Sequence, residues 1–191
     1  MAYGFRPNHH LTGGTVRTNA VSNSYTIESG YSTSLFLGDP VSIAAGYLVI
    51  GAPGSNTRNL GVFAGVVYKA SDGAPVYSKY WPASTVATEI EAMVWDDPNI
   101  VFAIESDQVG TALTFADVGS SMDATAGAGS TVTGLSGWFL DSSGGAGATA
   151  AQLKILGSAE QDGTFTGVGS AMDVLVMFNE HIWSHESAGV A

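Results

Sequence analysis

Punctuation is what most limits the folds open to this chain. From Gly30 onward, short apolar runs rich in Val, Ile, Tyr and Phe alternate with Gly, Asp, Asn and Pro, and no stretch keeps a helical apolar rhythm for more than a turn or two. Runs of that length and composition read as strands, here at 34–37, 41–44, 47–50, 61–68, 75–80, 91–95, 100–104, 137–140, 152–156 and 174–178. Leu37-Gly38-Asp39-Pro40-Val41 places a turn between the first two, because Pro fixes its own φ and pushes the residue before it out of the helical region. Ser71-Asp72-Gly73-Ala74 is the stronger signal: Asp-Gly supplies the positive φ angles of a hairpin loop, so 66–69 should pair antiparallel with 75–79. Asp96-Asp97-Pro98-Asn99 predicts a second hairpin, joining 93–95 to 100–104.

Helix is confined to one short piece. Thr114-Phe115-Ala116-Asp117 has capping-box spacing with Asp in the place of Glu, and Gly119 ends it. The run 100–104 is almost wholly apolar, which fits a strand covered on both faces. The class these signals predict is all-β: an antiparallel sandwich or barrel, jelly-roll-like, with one short helix. With 45% hydrophobic and only 12% charged residues the chain can bury a real core, and 191 residues suit one domain, two independent cores being crowded. Thr114-Phe115-x-x-Val118-Gly119-Ser120-x-Met122-Asp123 recurs as Thr164-Phe165-x-x-Val168-Gly169-Ser170-x-Met172-Asp173, too thin a similarity, with no third copy, for a solenoid. The Gly/Ala-rich stretch 141–151 reads as a surface loop.

Charge divides the chain. Residues 1–27 hold Arg6, Arg17, His9, His10, Gly13-Gly14 and no acid, whereas from Tyr80 onward the single cation Lys154 stands against fourteen acids. This predicts an extended N-terminal arm, 1–27, reaching from a single β-rich domain, 28–191, onto an acidic neighbour. The total, 17 Asp and Glu against 6 Lys and Arg for a net −11, disfavours nucleic-acid and anionic-membrane partners. Without Cys there is no disulfide scaffold, thiolate zinc site or thiol nucleophile. The opening residues lack the pattern of a secretory signal, the most apolar segment, 41–52, is interrupted by Ser42, Gly46 and Gly51, and Asn-x-Ser/Thr acceptors are absent, so export and membrane insertion are not expected.

Motifs for chemistry are missing as well. There is no Gly-x-Ser-x-Gly elbow, Gly134-Leu135-Ser136-Gly137 falling one residue short, and no phosphate-cradling Gly pattern. His181 and His185 stand at i, i+4, but a metal needs three or four ligands and no third accompanies them, so no metal or cofactor is expected. Asp96-Asp97 reads as turn chemistry, and no carboxylate pair stands out for glycoside hydrolysis. Tyr77, Tyr80, Trp81 and Pro82 could form a sugar platform, although such runs more often serve packing or subunit contacts. The residues therefore predict a protein that is not an enzyme.

Several motifs together carry a resemblance. Gly4-Phe5-Arg6-Pro7, His10-Leu11-Thr12-Gly13-Gly14-Thr15, the run 27–31 leading to Gly38-Asp39-Pro40-Val41, Gly61-Val62-Phe63-Ala64-Gly65, Tyr77-Ser78-Lys79-Tyr80-Trp81-Pro82 and Phe178-Asn179-Glu180-His181 resemble head decoration (cement) proteins of tailed bacteriophages. The resemblance runs over nearly the whole chain apart from the loop after Leu140. It implies a structural virion protein on the outer capsid surface, made in the host bacterial cytoplasm, whose partners are the major capsid protein and its own copies, a trimer being favoured over a dimer by analogy. It transfers no catalytic residue. Under this reading Arg6, His9, His10 and Arg17 of the arm contact the shell, and Tyr77, Tyr80 and Trp81 contact neighbouring subunits. The alternative is a carbohydrate or host-surface binding module on the particle.

Overall fold

A computed structural model describes residues 3–13, 24–54, 58–107, 112–143, 151–160, 165 and 172–184. They form fifteen strands and a single 3-10 turn: β1 (Arg6–His10), β2 (Ser24–Tyr25), β3 (Leu35–Phe36), β4 (Pro40–Ala44), β5 (Tyr47–Ile50), β6 (Gly61–Ala70), β7 (Pro75–Ser78), β8 (Tyr80–Trp81), β9 (Ala87–Trp95), β10 (Ile100–Ser106), β11 (Ser121–Met122), β12 (Ala124–Thr125), β13 (Phe139–Leu140), β14 (Leu153–Ser158) and β15 (Met172–Phe178). The protein is all-β, as the punctuation predicts. The 3-10 turn, Phe115–Asp117, stands where a short helix was expected, with the Asp117 carboxylate accepting from the Thr114 N–H (2.7 Å) and hydroxyl (2.9 Å).

Strands β2-β9-β6-β4-β5 lie side by side in a six-stranded sheet, with β7 added on β6. The Asp-Gly hairpin is present: Val66 pairs with Ser78 and Lys69 with Pro75, and Asp72 accepts from the Ala74 N–H at 3.0 Å. The outer strands of this sheet come together, since the Leu48 N–H donates to the carbonyl of Thr26, just after β2, at 2.9 Å. The seven-stranded sheet runs β11-β14-β15-β10-β13-β12, with β1 also on β10. Its first and last strands are separated only by Asp123, so the chain itself joins the two ends and the sheet closes on itself in a barrel-like ring. Within this sheet the described strand pairs are antiparallel except for that between Ser106 and Leu140.

Each sheet encloses a core of its own. In the seven-stranded sheet, β15 alternates strictly, turning Met172, Val174, Val176 and Phe178 inward against Phe5 and Phe102. The rings of Phe5, Phe102 and Phe178 lie 5.3–6.0 Å apart, in the range of favourable aromatic pairs. The other core gathers Ile27, Leu48, Phe63, Val66 and Trp81, the last edge-on to Tyr68 at 5.2 Å. The two cores are not isolated from each other. Val62 of β6 belongs to the first core, Ile50 packs against both, and Gln152 Nε2 donates to the Ala52 carbonyl at 2.7 Å.

The hairpin expected across Asp96-Asp97-Pro98-Asn99 does not form. Strand β9 is flanked by β2 and β6, and β10 by β15 on one edge and β1 and β13 on the other, so neither has an edge left for the other. The turn itself is present, with the Ile100 N–H on the Asp97 carbonyl at 3.2 Å, but it carries the chain from one sheet to the other. Residues 3–13 also differ from the expected free arm. Arg6 to His10 pair antiparallel with β10, and Phe5 is buried with its N–H on the Gly38 carbonyl at 2.9 Å. A polar Arg-Pro-Asn-His-His run has little intrinsic strand character, so an available edge of β10 imposes the conformation. Residues 14–23, the rest of the expected arm, lie outside the described residues.

Candidate interaction surface

The residues singled out for shell contact sit along β1 and the turn after it. Arg6 is exposed, with its guanidinium carbon 3.5 Å from the centroid of the Tyr3 ring. Burial, helped by Asp173, pushes the Tyr3 hydroxyl far above its ordinary pKa, against the opposing pull of Arg6. His9 is half-buried and its Nδ1 is 2.8 Å from Asn8 Oδ1. His10 bridges inward, with Nδ1 2.7 Å from the Thr12 hydroxyl and Nε2 3.1 Å from Asp97. Partial burial pushes the Asp97 carboxyl up, but the Asn99 N–H and the His10 ring together hold it below the usual carboxylate range. His10 therefore pins the N-terminal strand to the turn between the sheets. Arg17 lies outside the described residues.

The second group divides. Tyr77, on the outermost strand β7, is 79% exposed. Tyr80 is half-buried and stacks on Phe36 with ring centroids 5.5 Å apart and planes 13° from parallel. Trp81 is fully buried in the core of the six-stranded sheet, which removes it as a subunit contact and as a sugar platform. The alternation of a strand explains the split, since neighbours in a strand face opposite sides and the inward position takes the largest side chain.

A loop that the sequence did not single out packs beside Tyr80. The loop 130–134, closed by the Gly134 N–H on the Ser130 carbonyl at 2.7 Å, carries Val132 at its tip, 94% exposed. Gly134 packs beside Lys79 and Tyr80, and the backbone at Gly129 lies against the Phe36 ring. No acid occurs in 29–38 or 73–88, and 124–140 holds no charged residue of either sign.

The groups weighed for chemistry have structural partners. Asp96 is buried and accepts from the Tyr25 hydroxyl at 2.7 Å. His181 is buried, its Nδ1 accepting from the Trp183 N–H at 3.1 Å, and burial pushes its pKa down despite the fields of Asp96 and Asp97. His185 lies outside the described residues, and among the described ones no group of three or more His, Asp or Glu is placed to hold a metal. Asp39 is a buried carboxylate at the junction of the sheets, accepting from the Phe36 N–H at 2.7 Å, and burial raises it to about 6 against the hydrogen bonds from Ser136 and Phe36. Comparison with known proteins finds no matching protein family, no matching curated protein and no matching solved structure.

Proposed function

We propose that this chain is a head decoration protein of a tailed phage, a non-enzymatic clamp on the outside of the capsid. One observation supports the reading most: the motifs behind the resemblance, far apart in sequence, meet at the junction of the two sheets. Phe5 lies on Phe178, the Phe5 N–H reaches the Gly38 carbonyl, and the Gly38 N–H reaches the Phe63 carbonyl at 3.0 Å. The residues that carry the resemblance are thus among those that build this junction, and the reading rests on that.

The face carrying β1 contacts the shell in this reading, through Arg6 and His9 together with Arg17. A decoration protein works by mass action, binding the assembled lattice better than free subunits and summing many weak contacts per particle. The test is cryo-electron microscopy of virions with copy number by quantitative mass spectrometry. Many copies spread over the shell with β1 toward the capsid protein support the proposal; a few copies at the tail overturn it. Arg6→Glu with Arg17→Glu should lower shell occupancy without unfolding the chain, and unchanged occupancy removes this face from the contact. The exposed Tyr77 keeps a sugar-binding alternative, which a glycan screen with Tyr77→Ala decides.

A further inference from the structure

The chain has two Asp-Pro bonds, Asp39–Pro40 and Asp97–Pro98, and the fold surrounds them differently. In such a bond the Asp carboxyl can close a five-membered ring on its own carbonyl carbon without any diffusion, and the departing nitrogen belongs to a tertiary amide. The step also needs a proton for that nitrogen and a donor for the oxygen that becomes negative.

Both are present at Asp39–Pro40, which is buried at the junction of the sheets. The Phe63 N–H donates to the Asp39 carbonyl at 2.9 Å, so it faces the oxygen on which charge develops. The bond is fixed on either side, with the Gly38 N–H on the Phe63 carbonyl at 3.0 Å and the Gly51 N–H on the Pro40 carbonyl at 2.8 Å. The Asp39 carboxyl accepts from the Phe36 N–H at 2.7 Å, and burial keeps it protonated below about 6, so in mildly acidic buffer it carries the proton that Pro40 requires. Asp97–Pro98 differs in each respect. The Asp97 side chain is 43% exposed, its carboxylate is held ionised by the Asn99 N–H and the His10 ring, and its carbonyl meets the Ile100 N–H at a longer 3.2 Å.

We propose that Asp39–Pro40 is a self-cleavage site, at which the Asp39 carboxyl attacks its own carbonyl carbon under the Phe63 N–H and releases Pro40 as a new N-terminus. An oxygen of the neutral carboxyl forms a bond to the Asp39 carbonyl carbon, and the Phe63 N–H holds the resulting oxyanion. The carboxyl proton passes to the Pro40 nitrogen, the carbon–nitrogen bond breaks, and a cyclic anhydride is left on Asp39. Water, the second reactant, opens the anhydride and leaves two carboxyl groups on residue 39. The cleaved protein stays assembled, because β1, β2 and β3 of the first fragment pair with β10, β9 and β8 of the second. This chemistry goes beyond the decoration reading and does not depend on it.

The experiment incubates the purified full chain at about pH 5, between the free and folded values of Asp39, and follows it by intact mass spectrometry after denaturation. Parallel samples are the folded chain at about pH 8, the chain in guanidinium at about pH 5, and the variants Asp39→Asn and Asp97→Asn. The folded chain at the lower pH should yield fragments 1–39 and 40–191, together heavier than the chain by one water, the second reading Pro-Val-Ser from its N-terminus. Cleavage there should exceed both cleavage at Asp97–Pro98 and cleavage of the denatured chain by about tenfold or more, less than one oriented donor to an oxyanion contributes. The sample at the higher pH and Asp39→Asn should stay whole, and Asp97→Asn should cleave like the unaltered protein. A chain that stays whole at the lower pH overturns the proposal. So does equal cleavage at Asp97–Pro98, an unchanged rate in guanidinium, or cleavage that survives Asp39→Asn. The guanidinium comparison uses the unaltered chain and so does not depend on either variant folding.

Discussion

The two sheets close in different ways. The six-stranded sheet is assembled within residues 24–95 and its ends meet through a hydrogen bond from Leu48 to Thr26. The seven-stranded sheet takes strands from Arg6 to Phe178, and its ends are joined by the chain itself at Asp123. One is locally connected and joined by a weak link; the other depends on distant pairings and is covalently continuous at its seam. The contrast indicates where each half is vulnerable. The distant sheet should fail when a remote strand is removed, and the local one when its core is hollowed.

Removing residues 1–12 should have the largest effect, because it deletes β1 and takes Phe5 out of the aromatic trio. We expect loss of the cooperative unfolding transition in the truncated chain. Phe5→Ala and Trp81→Ala test the two cores one at a time, and each should cost about 3–5 kcal/mol, the range for buried aromatic truncation. Because Ile50 packs against both cores and Val62 crosses from one sheet into the other core, both variants should shift a single urea transition. Two separate transitions would break the picture of coupled halves.

Next in size is the pH dependence of the junction. The folded protein holds Asp39 at about 6 against 3.8 for the free side chain, so its fold prefers the neutral acid. Stability from this group is complete below 3.8 and is lost as pH rises through about 6. The span corresponds to about 3 kcal/mol at 1.36 kcal/mol per pH unit. His181 acts in the opposite sense: its lowered pKa means the fold prefers the neutral ring, so stability is complete above 6.5 and declines as pH falls. From these two groups melting temperature against pH should therefore fall between about 3.8 and 6 as Asp39 loses its proton and pass through a minimum in mildly acidic buffer, recovering toward 6.5 as the His181 ring becomes neutral in the unfolded chain too. Asp39→Asn, neutral at every pH, should remove the fall between about 3.8 and 6 and melt higher than the unaltered protein at pH 8; an unchanged fall would remove Asp39 as its source.

Gly38→Ala comes third, at about 1–3 kcal/mol for a strained backbone conformation. Gly38 has φ of +96°, and an added Cβ would stand 2.8 Å from the Tyr3 carbonyl oxygen. Chemical denaturation should show the loss, and none would mean that Tyr3 moves aside without cost.

Legibility in the sequence divides along the same line. Turn chemistry revealed the local sheet: Asp-Gly marked the β6–β7 hairpin and Gly38-Asp39-Pro40 the turn into β4, because these residues satisfy backbone angles whatever surrounds them. The distant sheet was half legible. The inward apolar residues of β10 and β15 showed as strands, but β1, β11 and β12 did not, since a polar or two-residue strand exists only because a partner edge is present. Asp96-Asp97-Pro98-Asn99 misled for the same reason: its turn is real, but the strand leaving the turn pairs wherever an edge is unoccupied, and that is settled by distant segments. Of the surface residues, Tyr77 and Tyr80 were legible as aromatics, and Trp81 was assigned to the wrong side of its strand.

The smallest effects test the seams. Asp123 takes the Gln152 N–H on its carboxylate and the Asp141 N–H on its carbonyl, each at 3.1 Å, so it ties both neighbouring strands to the joining segment. Asp123→Ala removes only the side-chain acceptor and should cost about 1 kcal/mol, the worth of one hydrogen bond. The other seam has no covalent tie. Breaking the Leu48–Thr26 bond requires only that the short strand β2 separate from β5, so the Leu48 amide should exchange with solvent through local opening. The Ile155 amide, which donates to the Ser120 carbonyl at 2.9 Å beside the covalent seam, should exchange only with larger-scale unfolding. Hydrogen exchange read at these two amides gives the comparison directly. Faster exchange at Leu48 means the six-stranded sheet opens at its seam while the other stays closed, and equal protection would mean that the packed core of Ile27, Leu48 and Trp81 holds a hydrogen-bonded seam as firmly as a covalent one.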